Sequence, residues 1–531
     1  MLERDRVLPH LLGRRPARAP ALQDVRGPAL AAGEVREGLL RWAGMLRALG
    51  VGPGDTVVNF QPHRLESYLS WLGIAWLRAI EVPVNTGYRA RMLRYLVENS
   101  RARVLIVAET FLERLAEVAP ELGGDHVVLV PDASARLPAL PFPVLDGRAL
   151  LAAAKPADDL AGPEASDVSS MIYTSGTTGP SKGVGVTWAS LAQIRGILPD
   201  DVVPEGQSYY SIYAGFHIAG KAAFFASQLL ERRLVFRDVF SVQHYWDDTR
   251  RFDCAFGGLV GGMASLLLAQ PEKPDDAQNP MRGVIMAPLI PELERFKRRF
   301  GLRVCTAYGM TEIAYPFASG WELANATSCG RLRRGPPGFQ VRVVDEHDRD
   351  VGPDRIGELI VRTEEPHIIT PGYFGMPEKS AELWRGGWFH TGDGFRHDAE
   401  GNFYFADRIK DAIRRRGENI SSFEVEAGVN EHPAVLESAA IGVPSEHSED
   451  EVKVIVVLRP GAALEPEELI GFLAPRMPRF MIPRYVEIAD ALPKTDATQR
   501  TRKHELRANA LNARTWDREA AGVVLPKDPK A

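Results

Sequence analysis

The chain has 531 residues, more than one hydrophobic core usually organises, so two or more domains are expected. With 45% hydrophobic and 25% charged residues it has the make-up of an ordinary globular protein, and a formal charge of −5 leaves no basic footprint for a nucleic acid. No apolar run reaches the ~18 residues of a membrane span; the nearest, GFHIAGKAAFFASQLL, is interrupted by His217 and Lys221. The N-terminal MLERDRVLPHLLGRR lacks the apolar core of a signal peptide. Three scattered cysteines, Cys254, Cys305 and Cys329, suit reduced thiols, and a cytoplasmic location is expected. Along the chain, EVREGLLRWAGMLRALG predicts a helix stopping at Gly50, and SYLSWLGIAWLRA predicts a second. RVLIVA and HVVLVP read as buried parallel strands, so layered α/β structure is expected. Residues 131 to 168, rich in Pro, Ala and Asp, read as a surface connection. From about 339, FQVRVVDEHDRDVGPDRIGELIVRT predicts strand, turn and strand, and after about 408 a small α+β domain follows.

The strongest local signal is MIYTSGTTGPSKGVGVT, residues 171 to 187. Gly176, Gly179 and Gly183 free the backbone to aim N–H groups at an anion. Thr174, Ser175, Thr177 and Thr178 add hydroxyls, and Lys182 is one of only twelve lysines among 64 basic residues. The pattern is not GxxxxGK[ST]. A flexible turn is the bland alternative, but hydroxyls at this density beside a lysine favour a phosphate.

TSGTTGPSKGV resembles the nucleotide loop of the adenylate-forming superfamily of acyl-CoA synthetases, peptide-synthetase adenylation domains and firefly-type luciferases. YGMTE at 308 to 312, GWFHTGD at 387 to 393 and DRIKDAIRRRGENISSFEVE at 407 to 426 resemble the family's further motifs, in the family's order. The resemblance implies a large N-terminal domain, 1–409, of layered α/β subdomains plus a β-rich subdomain. A small mobile α+β domain, 410–531, would follow, with Lys410 as the hinge. It implies that Thr174, Ser175, Gly176, Thr177, Thr178, Gly179 and Lys182 cradle phosphates, with Tyr308, Gly309, Met310 and Thr311 beside the nucleotide. Glu312, with Thr177, would hold Mg²⁺, while Asp393 and Arg408 would grip the ribose hydroxyls. In such enzymes a carboxylate attacks the α-phosphate of ATP, expelling pyrophosphate, and a thiol then displaces AMP from the acyl-adenylate. Attack of an anion on a polyanion needs the dense positive potential these groups supply.

On the acyl side, SIYAGFHIAGK resembles the family's aromatic–histidine segment, which implies that Phe216 and His217 meet the carboxylate end of the acid. A satisfied packing residue is the alternative for His217. The run FGGLVGGMASLLL has Gly257, Gly258 and Gly261, read either as room for a bulky, alicyclic acid or as close helix packing. Where the family has Gly-Gly-Ala-Pro against adenine and the acyl group, this chain has Ile285, Met286, Ala287 and Pro288, so Met286 is expected to reshape the pocket. Coenzyme A is the expected acceptor thiol: no carrier domain follows TWDREAAGVVL, and Arg414, Arg415 and Arg416 stand beside Gly417, where the family's pantetheine tunnel runs. A solvated β-edge is the alternative for two of those arginines. Among subfamilies, RRRGENISSFEVE and TWDREAAG look most like crotonobetaine/carnitine-CoA ligases, and a resemblance to the ligase of platensimycin-type diterpenoid antibiotic assembly would fit a bulky acid.

The C-terminal loop LPKTDATQRTRKHELR departs from the family. There the resemblance places a lysine that bridges the incoming carboxylate and the α-phosphate. Counting from one side that place falls on Arg500, and from the other on Gln499. Arginine spreads its charge over a planar fork and does not replace a compact ammonium. Losing one preorganised contact of this kind typically costs about 2.7 to 4 kcal/mol. A ligase with adenylation weakened or lost, fed with adenylate by a separate adenylating ligase, is therefore expected. The alternatives are a complete two-step synthetase, with Arg500 adequate or Lys503 sliding into place, and a non-catalytic adenylate-binding protein.

Overall fold

The computed structural model describes residues 6–134, 137–174, 181–290, 292–355, 357–408, 412–415, 418–445, 449–493, 501 and 503–525. The chain forms two compact units: Met1–Thr86 with Leu96–Tyr173 and Gly183–Asp407, and Gly87–Tyr95 with Thr174–Lys182 and Arg408–Ala531.

The first unit is built on three sheets. One runs, strand by strand, Val144–Asp146, Val127–Val130, Val104–Val107, Thr56–Phe60, Ile80–Pro83, Val168–Thr174 and Lys182–Thr187. Its pairings from Val144–Asp146 to Val168–Thr174 are parallel. The second runs Arg303–Cys305, Gly283–Met286, Cys254–Leu259, Ser208–Ser211, Arg233–Phe236, Pro20–Asp24 and Ala29–Ala31, parallel except for its last pair. Strands such as Val104–Val107, buried on both faces, need the continuous apolar runs seen in the sequence. Helices Ala32–Ala48, Leu65–Trp76 and Ile218–Leu229 share one core with residues of both sheets, in which Trp42, Trp71, Trp188, Phe224 and Phe225 are fully buried.

The third sheet is antiparallel and begins at Ala307–Met310, earlier than the expected 339. Its first hairpin is too short, and too interrupted by Gly and Pro, to show as an alternating run. The stretch 131 to 168 is also more structured than a surface connection. Val144–Asp146 adds a parallel edge strand there, and Asp146 caps helix Gly147–Ala153 by accepting from the Ala149 N–H at 3.1 Å.

In the second unit, Val435–Pro444, Asp450–Leu458, Tyr485–Ala489 and Trp516–Asp517 form a four-stranded sheet. Helices Ser422–Asn430 and Pro466–Leu473 pack on it, and Ala412–Arg415 pairs with Glu418–Ser421 as a separate hairpin. The architecture is thus a large α/β domain with several sheets and a small α+β domain. No helix among the described residues is long and apolar enough to cross a membrane.

Candidate active site

Several segments of the first unit follow the carboxyl ends of parallel strands, where open α/β sheets bind ligands. Gln61 and His63 follow Thr56–Phe60, Phe216 and His217 follow Ser208–Ser211, Gly261 follows Cys254–Leu259, and Ala287 and Pro288 follow Gly283–Met286.

The hairpin of Ala307–Met310 and Ala314–Ala318 carries Thr311 and Glu312 in its turn. Gly309 is required there, since a Cβ would lie 2.2 Å from the Ala314 carbonyl oxygen. Glu312 is buried; its carbonyl accepts the Thr370 N–H at 2.7 Å and its Oε1 accepts from the Tyr373 hydroxyl at 3.4 Å. Tyr308 packs its ring against Phe317 and Phe395 and donates its hydroxyl to Asp393 Oδ2 at 2.6 Å. Asp393 lies in strand Trp388–His397, only 3% exposed. Its N–H donates to Thr391 Oγ1 at 3.1 Å, and that hydroxyl in turn donates to the Leu359 carbonyl at 2.6 Å. The carboxylate is therefore held in one orientation, as a group that accepts hydrogen bonds from a diol must be. Tyr373 and Thr370, which hold Glu312, escaped the sequence reading; the turn-forming Pro371-Gly372 before an aromatic was the available signal.

The acyl-side glycines have close neighbours. A Cβ on Gly257 would lie 2.8 Å from the Tyr210 carbonyl oxygen, on Gly258 2.6 Å from the Tyr213 ring, and on Gly261 2.9 Å from the Pro288 carbonyl oxygen. Close packing accounts for all three, and the space beside Gly258 belongs to Tyr213 rather than to an acid. Met286 does not reshape a pocket. It is fully buried with Val284, Leu259 and Ile290 in the core beneath the second sheet, while its carbonyl accepts from Thr306 Oγ1 at 2.7 Å. Strand alternation turns its side chain to the face opposite Ile285. Ala287 is half-buried and Pro288 exposed, joined by a cis peptide bond. Phe216 and His217 are half-buried with ring centroids 4.6 Å apart, at the start of helix Ile218–Leu229.

In the second unit Thr174 and Lys182 flank the stretch expected to cradle phosphates and are half-buried; Ser175, Gly176, Thr177, Thr178 and Gly179 lie outside the described residues. Ser181 donates its N–H to Glu424 Oε1 at 2.9 Å and its hydroxyl to the same oxygen, and burial holds the Glu424 carboxyl above its ordinary range. Lys410, Arg416, Gly417, Gln499 and Arg500 also lie outside the described residues, as does the side chain of Arg408. Arg415 departs from expectation. It is buried, its Nε 2.6 Å from Glu451 Oε2, and its Nη1 donates to the carbonyls of Phe480 and Ile482 at 3.0 and 2.9 Å. A guanidinium so engaged braces the small domain and is not offered to CoA phosphates. Arg414, next along the hairpin, faces outward, 3.9 Å from Glu449. Lys503 is likewise committed: its Nζ lies 2.5 Å from Glu426 Oε1 and donates to Ser422 Oγ at 2.7 Å.

Among the described residues no three His, Cys, Asp or Glu side chains gather as a metal cage. Mg²⁺ does not need one, because it is usually held by one or two carboxylates together with substrate phosphates. The buried carboxylate of Glu312 fits that role.

A parallel-sheet scaffold, a buried tyrosine–carboxylate pair suited to a diol and a second buried carboxylate suited to Mg²⁺ point to an adenylate-forming enzyme. The chain belongs to the AMP-binding enzyme family, whose model matches residues 11–374, with the family's C-terminal domain matched over 424–498. It is 30% identical over 487 residues to a crotonobetaine/carnitine–CoA ligase of Citrobacter koseri, covering 87% of this chain and 90% of that protein. A ligase of the same name from Escherichia coli O1:K1 is 29% identical over 496 residues, 89% of this chain and 92% of the other. In fold it is similar to the amide bond synthetase McbA of Marinactinospora thermotolerans, with TM-score 0.81 at 21% identity, over 94% of this chain and 98% of that one. It is also similar to the o-succinylbenzoate CoA synthetase of Bacillus subtilis, with TM-score 0.79 at 22% identity and the same coverage. These relatives give no link to diterpenoid antibiotic assembly.

Proposed function

We propose that the protein is an ATP-dependent acyl-CoA ligase that performs both half-reactions. The observation that carries this reading is the orientation of Asp393 by Tyr308 in the same unit as the buried Glu312, in a chain matched almost end to end by CoA ligases. In the first half-reaction Asp393 accepts the ribose hydroxyls and fixes the nucleotide. Glu312 holds Mg²⁺, which supplies charge neutralisation at the phosphates. A carboxylate oxygen of the acid bonds to the α-phosphorus, and the bond to the β-phosphate oxygen breaks, releasing pyrophosphate. In the second, the CoA sulfur bonds to the acyl carbon, the thiol proton goes to solvent or base, and AMP leaves with the electron pair. The Phe216–His217 turn meets the acid's carboxylate end, and Arg414, exposed on its hairpin, meets the CoA phosphates.

One observation favours a second reading, in which adenylation is weak and the enzyme takes its adenylate from a partner. Lys503, the lysine nearest the family's catalytic position, is tied to Glu426 and Ser422, leaving Arg500 or Gln499 in that role. The full-length similarity to complete ligases supports the two-step reading better. Assaying acid-dependent ATP–pyrophosphate exchange and CoA-dependent consumption of preformed acyl-adenylate, separately, distinguishes them.

A further inference from the structure

Between the two parallel sheets lies a buried polar network that the reaction does not use. Lys221, in the first turn of helix Ile218–Leu229, pairs its Nζ with Glu81 Oε2; the two side chains are 4% and 2% exposed. Ser170 donates to the same oxygen at 2.8 Å, Asn59 donates to Glu81 Oε1 at 2.8 Å, and the ammonium lies 4.0 Å from the centre of the Trp71 ring. A few residues upstream on the same segment, the Gly215 N–H donates to His63 Nδ1 at 3.1 Å. That bond makes Nδ1 the acceptor and puts the ring proton on Nε2, 3.5 Å from the Tyr68 hydroxyl. Burial, reinforced by the Lys221 charge, pushes His63 down to about 3, so the imidazole stays neutral and Nδ1 stays an acceptor at physiological pH. Its ring is wedged between Tyr68 and Phe236, with centroids 5.1 and 4.9 Å away.

We infer that His63 and the Lys221–Glu81 pair are positioning residues: they clamp both ends of the Phe216–His217 turn and so set where the acid's carboxylate sits. This rests on the reading that the turn meets the acid. A buried ion pair is rarely more stabilising than an apolar pair of similar volume, which argues for a role in placement rather than in stability. The network does not bind the acid itself. The cavity it shares with Phe216 is about 20 Å³, room for a single water. The clamp instead fixes the chain on either side of the two residues that face the substrate, by a backbone hydrogen bond at Gly215 and a side-chain ion pair at Lys221.

The test compares His63→Leu, which removes the acceptor, with His63→Asn, whose Oδ1 replaces Nδ1. Two readouts are taken on the full-length protein, one of which needs no acid. In amide hydrogen exchange, His63→Leu should speed exchange across residues 213–217 relative to the rest of the domain, and His63→Asn should restore it. With the best acid of a panel that begins with crotonobetaine, His63→Leu should raise the KM for the acid about tenfold, the effect of one lost hydrogen bond. The KM values for ATP and CoA should stay within about twofold, and His63→Asn should recover most of the loss. Glu81→Gln with Lys221→Met removes both charges and keeps an amide to meet Asn59 and Ser170; it should fold and should also raise the acid KM. Phe216→Ala separates the two ways of failing. If it moves the acid KM while His63→Leu moves only the melting temperature, the clamp is overturned. If neither changes the acid KM, the placement of the turn at the acid fails, and the clamp with it.

Discussion

Tyr308→Phe deletes one oxygen and leaves the ring packed between Phe317 and Phe395. The lost contact is the 2.6 Å hydrogen bond to Asp393 Oδ2, on a carboxylate only 3% exposed. Hydrogen bonds to charged groups contribute about 1.5–3 kcal/mol, more than neutral ones, because a buried anion released from its donor cannot turn to water. At about 1.4 kcal/mol per factor of ten, the ATP KM should rise by roughly ten- to a hundred-fold. The acid KM should not move, since the turn proposed to meet the acid follows a strand of another sheet. Steady-state kinetics varying ATP at saturating acid and CoA measures the change, and circular dichroism shows that the fold is retained. An unchanged ATP KM would refute the reasoning, because Asp393 would then not need Tyr308 to meet the nucleotide.

Three further outcomes are expected. Arg415→Met should destabilise the small domain by about 3–5 kcal/mol, the effect of leaving Glu451 buried without its partner, whereas Arg414→Ala should spare stability and raise the KM for CoA; denaturant melts and CoA titrations check both. Lys503→Met should lower stability slightly and leave pyrophosphate exchange within about twofold, since this lysine is held by Glu426 and Ser422; a collapse of exchange would make Lys503 the adenylation cation. His63 is neutral in the fold but takes a proton in the unfolded chain below about pH 6.5. Folding stability should therefore fall as pH drops from about 6.5 toward 3, by at most about 1.4 kcal/mol per pH unit from this group. His63→Asn should flatten that slope in melts across the same range.

The sequence carried the order of the motifs and the α/β-to-β change along the chain, because glycine-rich turns and apolar strand runs are local signals. Two misreadings were also local and could have been avoided. In Ala412–Arg415 the two-residue alternation puts Arg415 on the same face as the fully buried Ile413 and turns Arg414 outward. In Gly283–Met286 the same alternation groups Met286 with the buried Val284. Other features were not local. Whether Gly258 leaves room for an acid or for Tyr213 depends on a neighbour 45 residues upstream. The Lys221–Glu81 pair joins residues 140 apart, and a carboxylate in IEVPVN and a lysine in an apolar helix give no sign of each other. Glu312 and Asp393 stand out in their motifs, but the contacts that hold them, from Tyr373 and Tyr308, are tertiary facts.

The most direct test of the two-step account is acid-dependent ATP–pyrophosphate exchange by the unmodified protein over a panel of carboxylic acids, read beside CoA-thioester formation on the same acids. The account predicts that an acid which supports exchange also yields a CoA thioester, with AMP and pyrophosphate formed in equal amounts. Thioester formation from supplied acyl-adenylate, with no acid supporting exchange until Arg500→Lys or Gln499→Lys is introduced, would contradict it and make the protein a ligase of the second half-reaction alone.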